Sequence, residues 1–207
     1  LQRLAGRGWS AAGGALILVA IVVLVSGAAS VPAATQPPQL VMDESVAADF
    51  RALALGTWDR FLAVFEERDD CFGDVYLRAT RTLGSRAAYD PDSATVTVRV
   101  PGTPAMLQGA LVHEWAHHVE FQCDEHQDLR RAFLAAQGLP PDTPWRPDNT
   151  AINVEGDIPS EQYAEATIVL VLGQRPIPTG VRVTEEMVHV IAEWVAGVGD
   201  WKLEVRD

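Results

Sequence analysis

Two histidines four residues apart bracket a glutamate in Leu111-Val112-His113-Glu114-Trp115-Ala116-His117-His118. On a helix, a four-residue step brings side chains onto one face, about one turn apart. Two neutral imidazoles so placed can share one Zn²⁺. Glu114 falls near the open side of such an ion, where a bound water would sit. Zinc lowers the pKa of that water toward about 7. Glu114 can then take its proton and pass it to a leaving amine. With 5 His in 207 residues, random placement produces H-E-x-x-H only about 0.7% of the time, so accident is a poor account of it. A merely charged, solvated helix does not fit the apolar Leu111, Val112 and Ala116 around the motif.

The elements that must hold these residues are legible on either side. Thr103-Pro104 opens a helix by the N-cap and N1 preferences, and that helix carries Met106 to about Gln122. Before it, Thr95 to Val100 alternates β-branched residues and ends at Pro101-Gly102. Val75-Tyr76-Leu77 and Ala87-Ala88-Tyr89 are further short extended segments, with a turn at Asp90-Pro91-Asp92-Ser93. Together these predict a small antiparallel sheet. A first helix is expected over 43–68, from apolar residues at three- and four-residue steps (Val46, Phe50, Leu53, Thr57, Phe61, Val64). Later helices are expected from Glu125 to Gln137, stopping at Gly138; from Pro159 to Leu172, stopping at Gly173; and from Thr184 to about Val198. Leu139 to Asp157 is rich in Pro, Asp and Asn and reads as a long loop, in which Trp145 is either a cover for the cleft or a buried anchor.

His113-Glu114-x-x-His117 resembles the zinc motif of the zincin metallopeptidases, and the order of strand, motif helix and later helix resembles that fold over roughly residues 74–172. The resemblance implies an α+β domain: a short antiparallel sheet packed with the motif helix and further C-terminal helices. Metzincins continue the motif with Gly and His three and six residues after the second ligand. Here those positions are Glu120 and Cys123, so that branch does not fit. His118 points about 100° away from His117, and His126 lies beyond Cys123, so neither is placed as a third ligand. The gluzincin branch takes a glutamate from a later helix in a pattern E-x-x-x-[DE], and Ser160-Glu161-Gln162-Tyr163-Ala164-Glu165 resembles it. By that resemblance Glu161 binds metal and Glu165 accepts a histidine N–H. The two roles are exchangeable on sequence grounds, and Asp157 and Glu155 are alternatives. An oxyanion stabiliser is also expected, with Tyr163 and His189 as its candidates.

Composition bounds the rest. There are 28 acidic and 16 basic residues, a net charge of −12. Arg3 and Arg7 precede the first apolar run, so everything after them carries 14 basic residues against 28 acidic ones. Such a body lacks the basic face that nucleic acids or anionic membranes require. Residues 1–30 read as a signal peptide or membrane anchor: two arginines, the apolar run Ala15 to Val25, then Ala28-Ala29-Ser30. This segment would engage the membrane during export or remain as an anchor. Residues 31–42 read as a linker and 43–207 as the metallopeptidase domain. Two cysteines in an exported chain predict a disulfide between Cys71 and Cys123, with two free buried thiols as the alternative. The expectation is therefore a zinc-dependent peptidase with one Zn²⁺ per chain, acting on a peptide or protein substrate. It would be secreted or anchored to the outer face of the cytoplasmic membrane. The competing reading is a zinc-binding module of the same fold with little or no catalysis, working through a partner.

Overall fold

Alternation in the extended segments becomes burial in the structure. Val75 and Leu77 of β2 (Val75–Thr80), and Val96 and Val98 of β4 (Thr95–Arg99), point into the core, while Tyr76 and Arg78 face outward. The structure is a computed structural model and describes residues 36–147 and 158–198. The expected signal or anchor segment, and the alternative ligands Glu155 and Asp157, lie outside those residues.

The other elements are β1 (Leu40–Met42), α1 (Ala48–Val64), β3 (Ala87–Asp90), α2 (Pro104–Gln122), α3 (His126–Gln137), α4 (Pro159–Leu172) and α5 (Glu185–Val195). The α+β class holds. The sheet, of order β1-β2-β4-β3, is mixed where a wholly antiparallel one was expected. Only β3 and β4 pair antiparallel; β1 with β2, and β2 with β4, run parallel. The reason is topological. α1 carries the chain back between β1 and β2, the long crossover that parallel pairing needs. The chain after β2 then passes beyond the place of β4 to lay β3 at the edge. Asp90 fastens the β3–β4 turn by accepting from Asp92 N (3.1 Å) and Ser93 Oγ (2.7 Å).

The last three residues of the expected linker form β1. Asp43 and Ser45, expected in the first helix, instead tie β1 to β2: Ala79 N donates to Ser45 Oγ (2.8 Å) and Arg78 Nε to Asp43 Oδ2 (3.1 Å). α3 and α4 end at Gly138 (φ 75°) and Gly173 (φ 78°), in the left-handed region that favours glycine. A disulfide joins Cys71 to Cys123 at the C-terminal end of α2. Among the described residues, no helix is long and apolar enough to cross a membrane.

Candidate metal centre

α2 is buried on most of its circumference, so the few polar groups it carries must be satisfied inside the protein. Thr103 caps it, its Oγ1 accepting from Met106 N at 3.3 Å. From behind, Trp115 packs edge-on against Trp58 (4.9 Å) and Phe61 (5.6 Å). His113 and His117 face α4, which delivers Glu161 in its first turn and Glu165 one turn later.

The two Nε2 atoms are 3.2 Å apart. Glu161 Oε2 lies 3.1 Å from His113 Nε2, and its Oε1 lies 3.5 Å from His117 Nε2. A tetrahedral ion with bonds of about 2.0–2.1 Å separates its ligand atoms by about 3.3 Å. The observed spacings therefore fit such an ion, and His113, His117 and Glu161 form a group that could hold a metal. The donor chemistry fits too, because each ring turns its other nitrogen to a carboxylate. His113 Nδ1 is 3.5 Å from Glu165 Oε1, and His117 Nδ1 is 3.1 Å from Glu120 Oε2. With Nδ1 carrying the hydrogen, both Nε2 lone pairs converge on one point.

The electrostatics without an ion follow from the crowding of carboxylates. Burial opposes protonation of His113, but hydrogen bonds to Glu161 and Glu165 outweigh it and pull its pKa up to about 10. His117 is raised likewise, against burial, by Glu120 and Glu161. Burial works to raise Glu120, yet His117 and Arg146 hold it down at about 2. Glu161 is depressed, against its burial, by the same two imidazoles. Glu114 moves the other way: burial raises it, and the neighbouring imidazoles only partly compensate.

Two cavities meet at the group. One of about 500 Å³ is bounded by Arg86, Ala110, Thr179 and Val181; the other, of about 230 Å³, by Tyr89, Phe121 and Arg146. Ala87, His113, Glu114 and Glu161 line both. Glu114 thus stands beside the metal point with open space on either side.

The two expected stabilisers are not brought here. Tyr163 lies two residues after Glu161, about 200° around the helix. It is fully buried among His126, Phe133 and Trp145. His189 is 70% exposed and pairs with Glu193 on the surface (3.1 Å). Neither lines either of these two cavities. Trp145 is a buried anchor that covers neither cavity. His118 is structural: Nδ1 accepts from Tyr89 (2.9 Å), and Nε2 donates to Gly73 O (3.3 Å). Burial lowers its pKa to about 4, so the neutral ring is the stable form.

Sequence reasoning missed Glu120 and Arg146, and also the loop after α4, where Thr179 (3.2 Å) and Arg175 (3.7 Å) approach Glu165 Oε2. For Glu120 a signal existed, since position i+3 from a ligand histidine shares its helical face. Comparison of the chain with protein-family models, with curated proteins and with solved structures finds no match.

Proposed function

We propose that the protein is an exported zinc-dependent peptidase, holding one Zn²⁺ per chain through His113, His117 and Glu161, with Glu114 as general base. The observation that carries this reading is the convergence of two Nε2 atoms and a carboxylate beside a buried glutamate that opens onto both cavities. Zinc in this position supplies Lewis acidity and brings the attacking water toward a pKa of about 7. Glu114 would accept the proton of the water whose oxygen bonds to the carbonyl carbon, and would deliver it to the amine nitrogen as the C–N bond breaks. The disulfide agrees with an oxidising compartment.

The edge strand suits an extended peptide. Arg99 N donates to Arg86 O, so by antiparallel alternation Ala87 and Tyr89 turn their backbone groups away from β4. β3 is the edge strand among the described residues and contributes to the lining of both cavities, so a peptide added to that edge would run beside the metal group.

The test uses zinc-loaded protein and a peptide library. Cleavage is expected, and Glu114→Gln should retain zinc while losing at least about 10²-fold in rate. Glu161→Gln should lose zinc affinity as well, because a neutral amide oxygen replaces a carboxylate. A Glu114→Gln variant that cleaves at the wild-type rate refutes the base assignment. Zinc-loaded wild type that cleaves nothing in the library refutes the peptidase reading.

A further inference from the structure

We infer that Glu120 is a positioning residue of the metal centre, held in place by Trp145 and Arg146 from the loop that follows α3. The inference rests on the metal reading above. Glu120 is 2% exposed along its side chain. A carboxylate so buried is costly unless polar partners surround it. It has three partner side chains, which satisfy both oxygens. Oε1 accepts from Trp145 Nε1 and from Arg146 Nε, each at 2.7 Å. Oε2 accepts from Arg146 Nη2 at 2.8 Å and faces His117 Nδ1 at 3.1 Å.

This arrangement bears on which nitrogen of His117 carries the hydrogen. Nδ1 has a second neighbour, Arg146 Nη2, at 2.8 Å. A guanidinium can only donate. If it donated into Nδ1, the imidazole hydrogen would move to Nε2 and the lone pair would leave the metal point. Glu120 Oε2, 2.8 Å from Nη2 and 3.1 Å from Nδ1, is the acceptor that lets His117 keep its hydrogen on Nδ1 against that donation. His117 Nε2 then keeps its lone pair facing His113 and Glu161, 3.2 and 3.5 Å away. The same loop touches the other ligand helix: Ser160 N, one residue before Glu161, donates to Trp145 O at 3.3 Å. Trp145-Arg146 therefore braces the ligands of both α2 and α4.

The experiment measures Zn²⁺ affinity of the full chain by chelator competition, with the Co²⁺ absorption spectrum as a readout of ligand geometry. Glu120→Gln is expected to lower affinity about 10- to 100-fold, the usual effect of losing a carboxylate behind a ligand histidine, and to alter the Co²⁺ spectrum. Arg146→Met should cost less than about tenfold, since Trp145 still holds Glu120. The double variant should bind no more weakly than Glu120→Gln alone, because without the guanidinium nothing drives the hydrogen onto Nε2. Wild-type affinity and spectrum in Glu120→Gln overturn the inference, and so do losses that simply multiply in the double variant. If a melt in chelator shows Glu120→Gln unfolded, Trp145→Phe combined with Arg146→Met decides: an unchanged spectrum and affinity overturns, a shifted pair supports. Wild type that binds neither ion refutes the metal reading itself. Wild type that binds zinc without cleaving peptides refutes only the peptidase reading.

Discussion

Loading the metal should expel protons, and the number expelled follows from the hydrogen bonds around the two imidazoles. Metal-free His113 titrates at about 10 because hydrogen bonds to Glu161 and Glu165 outweigh its burial, and His117 is raised in the same way by Glu120 and Glu161. Near pH 7 the His113 ring lies on its protonated side, and the upward shift of His117 is opposed by the 3.2 Å Nε2 separation of the two rings. Binding through Nε2 removes the hydrogen there and leaves the one on Nδ1 with its carboxylate. One to two protons should therefore leave per ion. Each makes the affinity rise about tenfold per pH unit, or about 1.4 kcal/mol. The sign for the metal-free fold is the opposite. Raised folded-state pKa values stabilise fully below the ordinary histidine value of 6.5, and that stabilisation is lost as pH climbs through about 10. Zinc should thus raise the melting temperature more at pH 9 than at pH 6. Calorimetric titration in buffers of different ionisation enthalpy counts the protons directly. No proton release at pH 7, or a zinc affinity flat between pH 6 and 8, refutes the reasoning.

Two further outcomes bear on parts of the chain outside the ligand set. Reducing Cys71–Cys123 frees a loop of 52 residues, worth about 4 kcal/mol in the chain-entropy model. The melting midpoint should fall by about 10 °C, and two titratable thiols in unreduced, unfolded protein would contradict the bond. Tyr163→Phe removes a buried hydroxyl that lines neither cavity, so it should leave the rate unchanged; a tenfold fall in rate would restore Tyr163 to the chemistry.

What was legible in the sequence is what local physics decides. Thr103-Pro104 announces the start of α2, and Gly138 and Gly173 mark where α3 and α4 stop, because caps and left-handed turns are properties of a few adjacent residues. Once α2 and α4 are helices, residues four apart share a face, so His113 with His117, and Glu161 with Glu165, come as pairs. The parallel pairing of β2 with β4 was not legible. It depends on a crossover and on which strand the chain lays down last, and neither leaves a periodic trace. β1 is three residues after a Pro-rich stretch and is a strand only because β2 pairs with it. Glu120 was half visible, by its spacing from His117. Its partners Trp145 and Arg146 are 25 and 26 positions away, and only tertiary packing brings them. Tyr163 shows the converse error: nearness in sequence to Glu161 places it on the wrong side of α4.

The charges around the centre point to a further constraint on what it can hold. Glu114, Glu120, Glu161 and Glu165 crowd around two imidazoles in a largely buried space. Among the described residues, the guanidiniums in ionic contact with these carboxylates are Arg146 on Glu120 and Arg175 near Glu165. Burial raises the pKa of Glu114, while Glu120, Glu161 and Glu165 are held low, so three carboxylates against two guanidiniums leave negative charge to be met. Buried charge left unpaired is too costly to persist. Protons on His113 and His117 can meet it, which is what their raised pKa values express. A divalent cation meets the same deficit and frees both rings to be neutral ligands. The arginines each sit on a carboxylate behind a histidine, on the side away from the metal point, so they neutralise the support of each ligand without competing for the ion. The same residues can therefore exchange protons for a metal ion at the group formed by His113, His117 and Glu161.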